Sequence, residues 1–305
     1  MPRAVKIGLQ LPEVEWEISM PDLLAMARHA ESVGFDSLWL GDHLIYDLPA
    51  GPRGPWEAWT SLAAIAAVTD RVEIGPLVAC TSFHQPQMLA KQAATVDAIS
   101  EGRLILGLGA GWNRREYDAF GYPYDHRVSR FEEAFTIIRS LLADGFVDVH
   151  GRFYDADHCV LHPRSPRPGG PPLMLGSNSP RMLSIGLPHV QSWNVWWSLY
   201  GNTALGFAAA KAAVDEACVA AGRDPASVEA TCAVYVRAPG GGGRQMGHDG
   251  GDVPALHGTV AEIAGHLGDF AAAGAAHVQL VVDPITRDSI DWLAGVLEVL
   301  DAPFR

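Results

Sequence analysis

The sequence predicts an α/β protein built as a (β/α)8 TIM barrel. Three observations carry this expectation. The chain has 305 residues, enough for one large α/β domain. Apolar runs of strand length alternate with helical patterns from one end to the other. Eight such units fit this length, which suits a closed barrel better than an open, doubly wound sheet. A single domain over 1–305 is expected, because no segment has the composition of an interdomain linker.

The strands are read at Lys6–Gln10, Asp36–Leu40, Val72–Val78, Leu104–Gly107, Leu173–Leu175, Ser192–Val195, Val228–Val236 and His277–Val282. They are apolar almost throughout, as parallel strands covered on both faces must be. The helices are read at Pro21–Val33, Trp56–Thr69, Pro86–Ser100, Arg127–Leu142, Pro180–Gly186, Leu205–Ala221, Thr259–Ala273 and Ser289–Leu300. In the first, Leu23, Leu24, Ala27, Ala30 and Val33 recur at helical spacing, and Gly34 then ends the helix. Two insertions break the rhythm. Residues 147–172, after the fourth strand, read as a hairpin turning at Gly151-Arg152 and a proline-rich connection. Residues 239–254, after the seventh strand, are glycine-dense and predict a mobile loop, either a plain connection or a lid at the catalytic face.

The formal charge of −13 argues against nucleic acid or an anionic membrane surface as a partner. No apolar stretch approaches the ~20 residues of a membrane span. The start, Met1-Pro2-Arg3-Ala4-Val5-Lys6, shows no leader pattern. Cys80, Cys159, Cys218 and Cys232 form no CxxC and read as reduced thiols, so a cytoplasmic location is expected.

In a barrel, the carboxyl ends of the strands build the site. The second strand leads into Asp42-His43. A histidine there can donate a proton near neutral pH, and Asp42 either fixes its tautomer or caps a helix. The third ends in Leu77-Val78-Ala79-Cys80, small and β-branched residues that leave room for a flat ligand. Cys80 has no neighbouring base and reads as a small buried residue. The fourth runs GRLILGLGAGWN over 102–113. Gly107, Gly109 and Gly111 let backbone approach a ligand, and Trp112 and Asn113 follow at once. It is not the dinucleotide fingerprint, because no acidic residue follows at the required distance. The fifth leads into Gly176-Ser177-Asn178-Ser179-Pro180-Arg181, a turn that suits a phosphate or an ordinary helix cap. The sixth brings Trp193, Trp196 and Trp197, either pocket wall or core and dimer contact. Arg127 either grips an anion or pairs at the surface, and Arg130 reads as a surface pair. Asp155, Asp157, His158, Cys159 and His162 match no standard zinc spacing, and no metal site is read.

Taken in order, these pieces resemble the bacterial luciferase-like family of flavin- and deazaflavin-dependent oxidoreductases. The matching segments are GFDSLWLGDH (34–43), Phe83-His84-Gln85-Pro86, LAKQAATVDAISEGRLILGLGAGWNRREYDAFG (89–121), the helix from Arg127, LMLGSNSPRML (173–183) and SWN (192–194). The chain looks most like the branch dependent on the deazaflavin coenzyme F420. The resemblance implies a homodimeric TIM barrel with a tricyclic cofactor in its mouth. It places a non-prolyl cis peptide at Leu77–Val78 against the ring, and Gly109, Ala110, Gly111 and Asn113 along the cofactor. It puts the cofactor phosphate on Gly176, Ser177 and Asn178, and makes His43, with Asp42 and Trp112, catalytic. The family's sugar-phosphate dehydrogenases carry a glutamate where this chain has Trp112 and a tryptophan where it has Leu44, which argues against a sugar phosphate. The expected function is hydride transfer between F420 and a small organic substrate. The alternative on the same scaffold is an FMN-dependent monooxygenase using oxygen and reduced flavin from a separate reductase. From other classes come a metal-dependent barrel hydrolase, for which only Asp42-His43 and Asp283 stand at strand ends, and a cofactor-storing protein without turnover.

Overall fold

The computed structural model describes residues 3–243 and 253–302. Of the glycine-dense segment 239–254, residues 244–252 therefore lie outside the described residues, and the expected lid with them. The elements in chain order are β1 (Lys6–Gln10), α1 (Met20–Ser32), β2 (Ser37–Leu40), β3 (Tyr46–Leu48), β4 (Gly51–Arg53), α2 (Ala58–Val68), β5 (Glu73–Pro76), β6 (Ala79–Cys80), α3 (Pro86–Ile99), β7 (Leu106–Gly109), α4 (Arg114–Phe120) and α5 (Arg127–Asp144). They continue with β8 (Phe146–His150), β9 (Asp155–Val160), β10 (Leu173–Gly176), α6 (Pro180–Gly186), β11 (Ser192–Val195), α7 (Ala204–Ala220), β12 (Glu229–Arg237), α8 (Val260–Ala272), β13 (His277–Asp283) and α9 (Arg287–Asp301).

One parallel sheet runs β5-β2-β1-β13-β12-β11-β10-β7-β6. Because β5 and β6 are consecutive in the chain, they are two halves of one kinked strand, and the sheet is an eight-stranded barrel. The ring closes where the Ile105 N–H donates to the Ile74 carbonyl at 2.8 Å and the Ile74 N–H to the Arg103 carbonyl at 3.0 Å. That closure explains two departures from the expected strands. The run Val72–Val78 is not one strand: β5 stops at Pro76, the Leu77–Val78 peptide is cis, and β6 resumes against β7. The fourth strand is Leu106–Gly109 rather than Leu104–Gly107, because Leu104 is drawn across to Ile74 while 106–108 pair with β10.

The barrel interior holds polar groups that bond one another. Trp39 Nε1–H donates to Ser37 Oγ at 2.6 Å, and Ser37 Oγ meets His277 Nε2 at 2.7 Å. Higher up, Asn194 Nδ2–H donates to Thr231 Oγ1 and Gln279 Oε1, both at 2.8 Å. The insertion after the fourth unit is the antiparallel hairpin β8–β9 and a return segment. Arg167 in that segment binds the buried carboxylate of Asp97 and the Leu104 carbonyl, pinning the insertion to the barrel wall. Two elements were not legible as such: the hairpin β3–β4 and the short helix α4, both beside the barrel mouth.

Candidate active site

A cavity of about 460 Å³ opens at the carboxyl ends of the strands. Its lining includes Asp42, His43, Leu77, Val78, Gly109, Ala110, Gly111, Trp112, Gly176, Ser177 and Asn178, which is every expected site residue except Asn113. Asn113 is buried, and its Nδ2–H donates to the Ile45 carbonyl at 3.1 Å. It ties the start of α4 to the loop after β2.

Val78 forms part of the cavity wall, and the glycines around it are there for its sake. A Cβ at Gly109 would lie 2.8 Å from Val78 Cγ2, and one at Gly176 would lie 2.8 Å from both Val78 methyl carbons. At Gly111, with φ +75°, a Cβ would collide with the Tyr117 hydroxyl and Cys80 Sγ. These glycines thus admit the chain's own side chains, and Val78 forms the cavity wall with them. Cys80 is buried, with its sulfur 3.2 Å from the Tyr117 hydroxyl. Burial pushes the thiol pKa up to about 12, which makes it a packing residue and not a nucleophile.

His43 is partly buried, with its side chain 19% exposed. Its Nδ1 lies 3.1 Å from both carboxylate oxygens of Glu116. Glu116 is almost fully buried and also accepts the N–H groups of Leu44 at 2.6 Å and Ile45 at 3.3 Å. The expectation that Asp42 fixes the His43 tautomer is therefore corrected: Glu116 holds that position. Asp42 instead accepts the Cys80 N–H at 2.9 Å and faces His84 Nε2 at 2.8 Å, joining β2 to the turn after β6. Burial opposes the charged form of His43. The Glu116 hydrogen bond and the charges of Glu13, Glu116 and Asp42 outweigh it, and the pKa is raised.

Glu116 and Glu13 were missed by sequence reasoning. Glu13 lies in the loop after β1, accepts from Gln10 Nε2 at 2.5 Å and from the Tyr46 hydroxyl at 3.2 Å, and lines the cavity. Of the three tryptophans, Trp196 and Trp197 line the cavity. Trp193 does not; its Nε1–H donates to the Ser177 carbonyl at 2.9 Å and braces that loop. Arg127 also lines the cavity, its guanidinium 3.7 Å from the Tyr124 ring centre. Arg130 pairs with Asp125. Arg181 is turned to Glu132 and Ser129, away from the role of a phosphate ligand. Among the described residues, Asp148, His150 and Asp157 alone have metal-ligand spacing, on the exposed hairpin β8–β9. No such group lies at the cavity rim among the described residues.

A closed α/β barrel with a cavity at its strand ends, walled in part by aromatics and holding a partly buried histidine on a buried glutamate, has the form of a small-molecule-binding barrel. The family follows from the comparisons. The luciferase-like monooxygenase family model matches residues 6–238, and the chain belongs to that family. It is 34% identical over 152 residues to an F420-dependent glucose-6-phosphate dehydrogenase of Amycolatopsis mediterranei, covering 48% of this chain and 45% of the relative. It is 32% identical over 176 residues to the pyrimidine monooxygenase RutA of Rhizobium rhizogenes, covering 56% and 47%. The chain thus spans about half the length of these curated relatives. Among solved structures, an F420-dependent secondary alcohol dehydrogenase bound to an F420–acetone adduct superposes with a TM-score of 0.82 at 20% identity, over 99% of this chain and 100% of that one. The F420-dependent tetrahydromethanopterin reductase of Methanopyrus kandleri gives 0.76 at 18% identity, over 98% of both. These two likenesses are of fold. No helix among the described residues is long and apolar enough to cross a membrane.

Proposed function

We propose that this protein is a coenzyme F420-dependent oxidoreductase that moves a hydride between the deazaflavin and a small organic substrate. The observation that carries the reading is the meeting, in one cavity, of the Leu77–Val78 wall with a histidine whose Nδ1 is held by a buried carboxylate. The residues present fit a flat, polar-edged ring. Gln10 Oε1 and Trp197 Nε1 are buried, belong to cavity-lining residues and have no hydrogen-bond partner among the described residues. The edge of a heterocycle offers the donors and acceptors that such atoms require. The volume falls within the range usual for a cofactor-sized ligand.

When bound, the deazaflavin supplies or accepts the hydride; binding, orientation and the proton are left to the protein. Leu77 and Val78 buttress the ring. Gly109, Ala110 and Gly111 flank the polyol chain, and Gly176, Ser177 and Asn178 hold the phosphate. Trp112 and Trp196 shape the substrate end, and their aromatic surface favours an apolar or ring-bearing molecule. His43 moves the proton at Nε2, and Asp42 holds the end of the third strand in place. A cytoplasmic homodimer, with a separate reductase renewing the reduced cofactor, completes the reading.

The RutA relative favours a second reading, an FMN-dependent monooxygenase on the same scaffold. Deazaflavins lack the ring nitrogen that supports oxygen chemistry, so the cofactor decides the reaction. The purified protein is to be titrated with reduced F420 and with reduced FMN, each with and without oxygen, while cofactor absorbance is followed. The expected result is binding of reduced F420 and its oxidation by organic carbonyl compounds without oxygen. Binding of reduced FMN alone, with oxygen consumed, would overturn the first reading in favour of the second.

A further inference from the structure

We propose that Glu116 is the positioning residue that keeps His43 loaded as a proton donor, which sets this site to work in the direction of substrate reduction. The inference rests on the hydride-transfer reading above and extends it to a residue and a direction.

The geometry comes first. Both Glu116 oxygens lie 3.1 Å from His43 Nδ1, and the carboxylate also accepts two backbone N–H groups. A carboxylate bound by amide donors is favoured in its charged form. Facing that charge, Nδ1 must carry a proton, and Nε2 is left for the cavity that His43 lines. Among the described residues no hydrogen bond to Nε2 is made. A neutral ring in this tautomer presents a lone pair at Nε2 and can only accept. A protonated ring presents N–H there and can donate. The two states therefore serve opposite reactions.

The surroundings choose between them. Glu116 faces the ring from α4, Glu13 from the loop after β1, and Asp42 adjoins it at the end of β2. Tyr46 on β3 and Trp112 pack against the ring, with centroids 4.8 and 5.8 Å away. The cation among the described lining residues besides the histidine is Arg127. It donates to the Tyr124 carbonyl at 3.1 Å and lies over that residue's ring. Three carboxylates thus bias the imidazole toward its cationic form, and the raised proton affinity agrees with this. In reduction, a hydride from the reduced deazaflavin forms the new C–H bond at a carbonyl carbon. The C=O π pair moves to oxygen, and oxygen takes the proton from Nε2. The deazaflavin is oxidised, and the products are an alcohol and a neutral His43. Oxidation of the alcohol requires the neutral ring at the start and is favoured only above the His43 midpoint.

The test has two arms. On cofactor-free protein labelled with 13C at the histidine ring, His43 is assigned by its loss in His43→Asn and titrated by NMR. A midpoint above 6.5 is expected in the wild type. In Glu116→Gln it should fall by at least about one pH unit, and about tenfold less of the cationic ring should remain at pH 8. With reduced F420, the wild-type kcat/KM for carbonyl reduction should be flat at low pH and fall through the same midpoint. Glu116→Gln should move that fall to lower pH without changing cofactor affinity. A wild-type midpoint at or below 6.5, or one that Glu116→Gln leaves in place, overturns the inference. If Glu116→Gln does not fold, the wild-type midpoint and its match to the reductive profile decide alone. If the NMR titration behaves as stated but reduced F420 is never oxidised, the hydride-transfer reading fails, and the direction with it. If turnover occurs with an unraised midpoint, that reading stands and the role of Glu116 falls.

Discussion

Replacing Gly176 by alanine tests whether the cavity wall is built by glycines making room for Val78. The added Cβ would lie 2.8 Å from both Val78 methyl carbons. Carbon–carbon contacts settle near 3.5–4.0 Å, so Val78 must retreat by about 1 Å. Overpacking of this kind costs about 1–3 kcal/mol. Gly176 does not have a positive φ, so alanine adds no backbone strain, and the lower entropy of the unfolded chain offsets about 0.5–1 kcal/mol. The net loss expected in urea unfolding is about 1–2 kcal/mol. Displacement of Val78 from the wall should also weaken F420 binding by about tenfold, or ~1.4 kcal/mol, in an equilibrium absorbance titration. Val78→Ala removes the colliding methyls. In Val78→Ala/Gly176→Ala the alanine at 176 should cost nothing further, giving a favourable coupling of ~1–2 kcal/mol. Gly176→Ala with wild-type stability and affinity, or a double variant showing no coupling, would refute the reasoning.

His277 is buried, and desolvation, with help from Lys6, lowers its pKa to about 3 from an ordinary 6.5. Between those values the unfolded chain binds a proton that the native protein refuses, so stability falls as pH drops below 6.5. At pH 5 the loss should be about 2 kcal/mol from this residue, and His277→Gln should flatten that slope in urea unfolding between pH 7 and 5. Arg167→Met strips the buried Asp97 carboxylate of its cation. Chemical denaturation should show a loss of about 3 kcal/mol, and an unchanged midpoint would mean that the return segment does not depend on this pair. His43→Ala should lower turnover at saturating F420 by about 10²- to 10⁴-fold while the cofactor Kd stays constant. Turnover at the wild-type rate would remove His43 from the mechanism.

The barrel and its strand ends were legible because they are local. Each strand is a short apolar run, each helix has its own period, and Gly34 ends α1 where it was expected to. The residues that reach across were not. Glu116 sits in Arg114-Arg115-Glu116-Tyr117-Asp118, which reads as an exposed charged helix, and Arg114 and Asp118 do pair at the surface at 3.0 Å. The buried face is Asn113, Glu116 and Tyr117, which is i, i+3, i+4 spacing and the one available signal. No local pattern shows that this face meets His43, 73 positions away in sequence. Glu13 was hidden for a different reason. The loop PEVEWE carries three glutamates, and which one turns inward depends on Gln10 and Tyr46. The glycines of the fourth strand were recognised, but their packing against Val78 was not, since the kink at Leu77–Val78 that brings it against them is tertiary.

The two sides of the cavity are therefore made of different material. One wall is built around strands: Val78 sits at the kink between β5 and β6, and β7 and β10 supply the glycines that receive it. β7 is paired with β6 on one side and with β10 on the other. The side that carries His43 is assembled from α4, the loop after β1 and the β3–β4 hairpin, joined by side-chain bonds to Glu116 and Glu13. Strand positions tolerate little movement, because a shift at one is passed to its neighbours in the ring. Loop-borne groups can be exchanged one at a time with the barrel intact. A strand-built wall beside groups borne on loops and a short helix gives a physical basis for varying one side of such a cavity while the barrel stays intact.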